Sequence, residues 1–125
     1  MGVILLVDDD ADLVEVYKLA LTQHGHEVKA CYSAEEARET LKGDRPDAIV
    51  LDVMMEMKFA GFALAREVHQ QFPDLPIIML TGLLQVTDRA LHFESDETWL
   101  PVAKFLDKPV DPMALANEID AMLAG

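Results

Sequence analysis

Three apolar runs in this chain, and a fourth, shorter and less apolar stretch, each end on residues that can do chemistry. Val3 to Val7 runs into Asp8-Asp9-Asp10, Ala48 to Leu51 into Asp52, Ile77 to Leu80 into Thr81, and Ala103 to Leu106 into Asp107-Lys108-Pro109. Carboxylates gathered at this density repel one another, and a hard divalent cation is the natural relief. Oxygen donors with room for water favour magnesium. A cation held beside a carboxylate, with the Lys108 ammonium and the Thr81 hydroxyl opposite, would neutralise an incoming phosphoryl group and leave Asp52 able to attack phosphorus. The chemistry in view is therefore an aspartyl phosphate on Asp52, made in a site that Asp8, Asp9, Thr81 and Lys108 complete.

These residues meet only if the elements before them line up. Val3–Val7, Ala48–Leu51 and Ile77–Leu80 are continuously apolar, the pattern of strands covered on both faces in a parallel sheet. Glu27 to Cys31 alternates polar with apolar, as an edge strand does, and Ala103 to Leu106 is a shorter fifth strand. Between the strands, Leu13, Tyr17, Ala20, Leu21 and His24 recur at helical spacing until Gly25. Ser33 with Glu36 forms a capping box for a helix reaching Leu41, with Gly43 as its stop. Leu64, Ala65, Val68 and Phe72 share one face of a helix over Gly61 to Phe72. Asp111 caps a last helix that opens on Pro112 and turns Leu115, Ala116, Ile119, Met122 and Leu123 inward. The connection from Leu83 to Val102 reads as a shifted or shortened fourth helix. The order is βα repeated five times, an α/β doubly wound parallel sheet whose functional crevice lies beyond the carboxyl ends of the strands, where strand order reverses.

Composition narrows the function further. The 125 residues suit one domain over residues 1–125, and 51% hydrophobic with 26% charged residues excludes a disordered or low-complexity chain. Asp and Glu number 23 against 10 Lys and Arg, and the resulting net charge of −13 repels nucleic acid and anionic membranes. Direct nucleic-acid or membrane partners are not expected. The lone Cys31 cannot form an internal disulfide, and no apolar run reaches the length of a membrane span, so a reducing cytoplasmic setting is expected. The histidines and methionines read as packing or surface residues.

Leu6-Val7-Asp8-Asp9, Ile49-Val50-Leu51-Asp52, Met79-Leu80-Thr81-Gly82 and Leu106-Asp107-Lys108-Pro109 stand in order at the strand ends, and with them the whole chain resembles the receiver domains of two-component response regulators. The resemblance implies a flavodoxin-like sheet of strand order 2-1-3-4-5. It implies Asp52 as phosphoacceptor, Asp9 and Asp52 as direct magnesium ligands with the backbone carbonyl of Met54, and Asp8 as a ligand acting largely through water. Thr81 matches the switch hydroxyl, Lys108 the cation that pairs with the phosphoryl group, and Phe105 the aromatic whose rotamer follows the switch. A histidine kinase or phosphotransfer protein would supply the phosphoryl group. The face built from the fourth connection, the fifth strand and the last helix would then engage a downstream protein, a fused output domain or a second copy of the chain.

The protein would not be an enzyme in its own right, but a phosphoacceptor that assists its own phosphorylation and slow dephosphorylation. The positions two beyond Asp52 and two beyond Thr81, which flank the path of an attacking water in receivers, are the apolar Met54 and Leu83. Two departures stand out: Glu56 occupies a position that is commonly proline, and Trp99-Leu100-Pro101-Val102 replaces the usual small pair before the last strand. A receiver-like scaffold that works without phosphorylation is the alternative reading. Such scaffolds normally lose part of the five-residue set, which is intact here. A phosphatase with an aspartate nucleophile would want a second aspartate where Met54 stands, and a nucleotide-binding domain would not place three acids where phosphates must sit.

Overall fold

The computed structural model describes residues 2–52, 60–81, 104–107 and 110–124, with the backbone alone described at 60–62, 81, 104, 105 and 107. Five parallel strands, β1 (Val3–Val7), β2 (Glu27–Cys31), β3 (Ala48–Asp52), β4 (Ile77–Thr81) and β5 (Lys104–Asp107), form one sheet in the order β2-β1-β3-β4-β5. Four helices are described: α1 (Ala11–Gln23), α2 (Ala34–Gly43), α3 (Ala60–Gln71) and α4 (Pro112–Ala124).

Strand side chains alternate between faces, so one continuous apolar run feeds two cores. Leu5, Val7, Ile49, Leu51, Ile77 and Met79 pack with Ala37 and Leu41 of α2 and Leu64, Ala65 and Val68 of α3. Their neighbours Ile4, Leu6, Ala48, Val50, Ile78 and Leu80 pack on the other face with Val14, Tyr17 and Leu21 of α1 and Leu115, Ala116 and Ile119 of α4. Burial on both faces is why these strands lack the polar alternation seen in β2 at the edge.

Local chemistry sets the element ends. Asp10 caps α1, its carboxylate accepting the Asp12 and Leu13 amides at 3.1 and 3.2 Å. Gly25 takes φ +91 just after that helix, the left-handed geometry expected of it. Ser33 accepts the Glu36 amide at 3.1 Å, and Glu36 in turn accepts the Tyr32 amide at 3.2 Å, so the capping box forms one residue out of register on its return arm. The inward assignments hold, at unequal depth. Val14 is buried in α1 where Leu13 is only half-buried, and Met122 and Leu123 in α4 are half-buried at the margin of the core. Gly43 ends α2 without a positive φ, because Asp44 beyond it is already extended at φ −135. Residues 83–102, read as a shifted or shortened fourth helix, lie outside the described residues.

At the edge where the strands begin, Gly2 is enclosed. Its carbonyl accepts the Glu27 amide at 2.9 Å, and Asp47 accepts the Val3 amide at 2.7 Å. A Cβ on Gly2 would fall 2.9 Å from both Asp47 Oδ2 and Leu123 Cδ1. Because that Asp47 oxygen is held by the Val3 amide, it cannot simply turn away. Gly2→Ala is therefore expected to destabilise the fold by about 1–3 kcal/mol, the usual range for overpacking. Chemical denaturation of the two proteins measures it.

The same edge carries an acid-labile link. Asp120 of α4 meets His24 Nδ1 at 2.5 Å and His26 Nε2 at 2.7 Å, and these hydrogen bonds, His24's first, hold its carboxyl below the usual aspartate range. A depressed folded value contributes stability that is fully present above the ordinary aspartate range and is lost as pH falls through the lowered value. Asp120→Asn should thus unfold at lower denaturant than the parent chain at neutral pH, with the gap closing in acid. Unfolding midpoints across a pH series read it directly.

Candidate functional site: a carboxylate cluster at the carboxyl edge of the sheet

The strand register brings the expected residues to one edge. Val7 pairs with Leu51, so Asp8 follows β1 level with Asp52 at the end of β3. Asp52 pairs with Leu80, which places Thr81 one residue further along β4, and Thr81 pairs with Asp107, the residue before Lys108. Strand order reverses between β1 and β3, and the carboxylates stand at that point, where a crevice opens in a doubly wound sheet.

Backbone hydrogen bonds orient the first acid. The Asp8 amide donates to the Cys31 carbonyl at 3.1 Å, extending the β1–β2 ladder one step beyond the strand. Its carboxylate accepts the Asp10 amide at 2.9 Å, which turns the chain into α1. Asp8 is fully buried and Asp52 is 6% exposed, whereas Asp9 is exposed. One carboxylate oxygen from each of Asp8, Asp9 and Asp52 lies within 4.8 Å of the other two. Three anionic oxygen ligands in such a space form a hard donor set, suited to a small divalent cation and unsuited to a soft metal. Asp10, next in the sequence, is spent on capping α1 and takes no part.

Among the described residues this is the one cluster of three or more acidic, histidine or cysteine side chains with metal-ligand spacing. Thr81 is placed by its backbone at the end of β4 and Phe105 by its own within β5, opposite Met79, and their side chains lie outside the described residues together with Met54 and Lys108. Cys31, on the neighbouring strand, is buried with its thiol 3.5 Å from the Thr40 hydroxyl, and burial pushes its pKa up, so it is a packing residue rather than a nucleophile.

The profile of the response regulator receiver domain matches residues 4–120. The chain belongs to that family. Its place is two-component phosphorelay signalling. The receiver is 35% identical over 120 residues to a probable transcriptional regulator ycf27 of Porphyra purpurea, covering 96% of this chain and 46% of the relative. It is 36% identical over 99 residues to the response regulator MprA of Mycobacterium ulcerans, covering 78% of this chain and 42% of the relative. The receiver thus spans less than half the length of these curated relatives. Among solved structures, a response regulator from Chloroflexus aurantiacus superposes with a TM-score of 0.83 at 31% identity, over 99% of this chain and 98% of the other. A two-component response regulator from Clostridium difficile superposes with a TM-score of 0.86 at 22% identity, over 99% and 97%, a likeness of fold alone. Among the described residues of the receiver, no helix is long and apolar enough to cross a membrane.

Proposed function

We propose that this receiver domain accepts a phosphoryl group on Asp52 from a histidine kinase or phosphotransfer protein, in a magnesium-dependent reaction. The observation that carries the reading is the convergence of Asp8, Asp9 and Asp52 within 4.8 Å at the strand-order reversal. At a bond length of about 2.1 Å two ligands of a magnesium ion stand at most about 4.2 Å apart, so oxygens within 4.8 Å of one another need close in only slightly to share one ion. Asp9 and Asp52 would hold it directly with the Met54 carbonyl, and Asp8 through water. When bound, the ion supplies charge neutralisation between the carboxylates and the phosphoryl oxygens.

The residues do the rest. An Asp52 oxygen attacks phosphorus, a new O–P bond forms, and the bond from phosphorus to the donor breaks with its electron pair leaving on the donor. Lys108 carries positive charge to the phosphoryl oxygens, and the Thr81 hydroxyl donates to one of them. Phe105, on β5 three residues before Lys108, follows Thr81 and passes the change to the surface. On this reading the domain is a phosphoacceptor rather than an enzyme acting on a separate substrate, and the apolar Met54 and Leu83 keep the return of phosphate to water slow.

The ycf27 relative of Porphyra purpurea is named as a probable transcriptional regulator, and the chain's net charge of −13 argues against its own surface meeting DNA. The domain then acts through a protein target, a joined output domain or a second copy, in the cytoplasm. Incubation with acetyl phosphate and magnesium, followed by intact-protein mass spectrometry, tests the reading. One phosphoryl increment that disappears on chelation is the expected result, and an unchanged mass would favour a scaffold that works without phosphorylation.

A further inference from the structure

At the edge of the sheet opposite the carboxylates, two histidines converge on one acid. His24 Nδ1 lies 2.5 Å from Asp120 Oδ2, and His26 Nε2 lies 2.7 Å from Asp120 Oδ1. The Gly2 amide donates to His26 Nδ1 at 3.1 Å, and His26 is only 4% exposed. A neutral imidazole carries one N–H, so with Nδ1 accepting from Gly2 the proton sits on Nε2 and is donated to Asp120. The same proton occupies the lone pair that a metal ion would need. The cluster is accordingly a hydrogen-bonded clamp, joining the end of α4 to the α1–β2 turn and, through His26, to the chain entering β1.

The two ends of α4 are held differently. Near its last turn stand Asp120 in the clamp and Leu123 against Gly2. Its first turn carries a local cap, Asp111 accepting the Ala114 amide at 3.0 Å, and the exposed Met113, and among the described residues is held only by the apolar packing of Leu115 and, just after it, Ala116. This first turn follows β5 by a short connection that begins at Asp107, the register partner of Thr81. One end of the helix is thus linked to the carboxylate edge, and the other is tied to the far edge, roughly 17 Å away along five strand residues.

We propose that the Asp120 clamp is the fixed end of α4, so that rearrangement on phosphoryl binding is confined to the turns near Pro112 and pivots on the Asp120 end. The confinement rests on the phosphoacceptor reading above, whereas the anchoring itself does not. Pro112 lies about 12 Å along the helix from Asp120, so a tilt of about 10° moves it by roughly 2 Å while Asp120 stays in place. Met113 is the exposed side chain that such a tilt displaces.

Hydrogen–deuterium exchange on the parent chain, Asp120→Ala and Asp120→Asn tests the clamp, each with and without beryllofluoride and magnesium. Without ligand, Asp120→Ala should exchange the amides of Ile119 to Leu123 at least about tenfold faster while β1 keeps its protection, with Asp120→Asn between. With beryllofluoride, the parent should respond in the first turns of α4 only, and Asp120→Ala along the whole helix. Equal ligand-free exchange in the parent and the variants overturns the clamp, and so does a parent response as large at Ile119 to Leu123 as at Pro112 to Ala116. If beryllofluoride shifts no amide in any protein, the phosphoacceptor reading fails, and the ligand-free comparison still decides whether α4 is anchored. Should Asp120→Ala not fold, Asp120→Asn and His24→Gln, each removing one arm, carry the same comparison.

Discussion

Asp52→Asn is expected to fold and to gain no phosphoryl mass from acetyl phosphate under conditions that fully convert the parent chain. An asparagine amide has nearly the shape of the aspartate it replaces, so the close packing around this 6% exposed side chain survives. Its nitrogen lone pair is delocalised and its oxygen carries no charge, so nothing at that position attacks phosphorus. Neighbouring Asp8 and Asp9 cannot substitute for it. Asp8 is fully buried and already oriented by the Asp10 amide at 2.9 Å, and Asp9 lies on the chain entering α1 rather than at the end of β3. Intact-mass measurement with peptide mapping checks the outcome. A full increment retained in the variant would move the acceptor away from Asp52.

The second large effect is the response to magnesium. Only the folded chain assembles Asp8, Asp9 and Asp52, so binding stabilises it by mass action, about 1.4 kcal/mol at ten times the dissociation constant. For a domain of this size that is a rise of roughly 4–6 °C in melting temperature. Asp9 is exposed, so Asp9→Ala should abolish the rise while leaving the core packing in place. In chelator the variant should still unfold cooperatively, with one of three like charges held within 4.8 Å gone. Thermal melts of both proteins with magnesium and with chelator measure all four values. A magnesium response kept in Asp9→Ala would show that the ion is held elsewhere.

What could be read from the sequence followed from how directly a residue type encodes geometry. Continuous apolar runs ending on Asp8 and Asp52 gave away both the buried strands and the edge where the acids meet, because burial on two faces and chemistry at a strand end leave plain marks in the chain. Strand order came with them, through the match to the receiver pattern. The clamp was not legible. Asp120 lies more than ninety residues beyond His24 and His26 in the chain, and a histidine on a half-apolar face looks the same whether it packs, faces water or meets a carboxylate. Gly2 was equally opaque, since its constraint comes from Leu123 at the far end of the chain. That Val14 is buried beside a half-buried Leu13 reflects the phase of α1 on the core that holds Ile4 and Leu6, which spacing alone fixes only to within one position.

The alternation of strand side chains has a further consequence for how such proteins diverge. The two cores share a backbone but few side-chain contacts, since Leu5 and Ile49 face one layer while Leu6 and Val50 face the other. A change of volume on one side is met by α2 and α3, and on the other by α1 and α4. Each layer can therefore drift through compensating substitutions while its counterpart stays intact, and the sheet between them keeps delivering the same strand ends to the same edge. Such independence fits a fold that superposes at a TM-score of 0.86 on a chain with which it shares 22% of its residues.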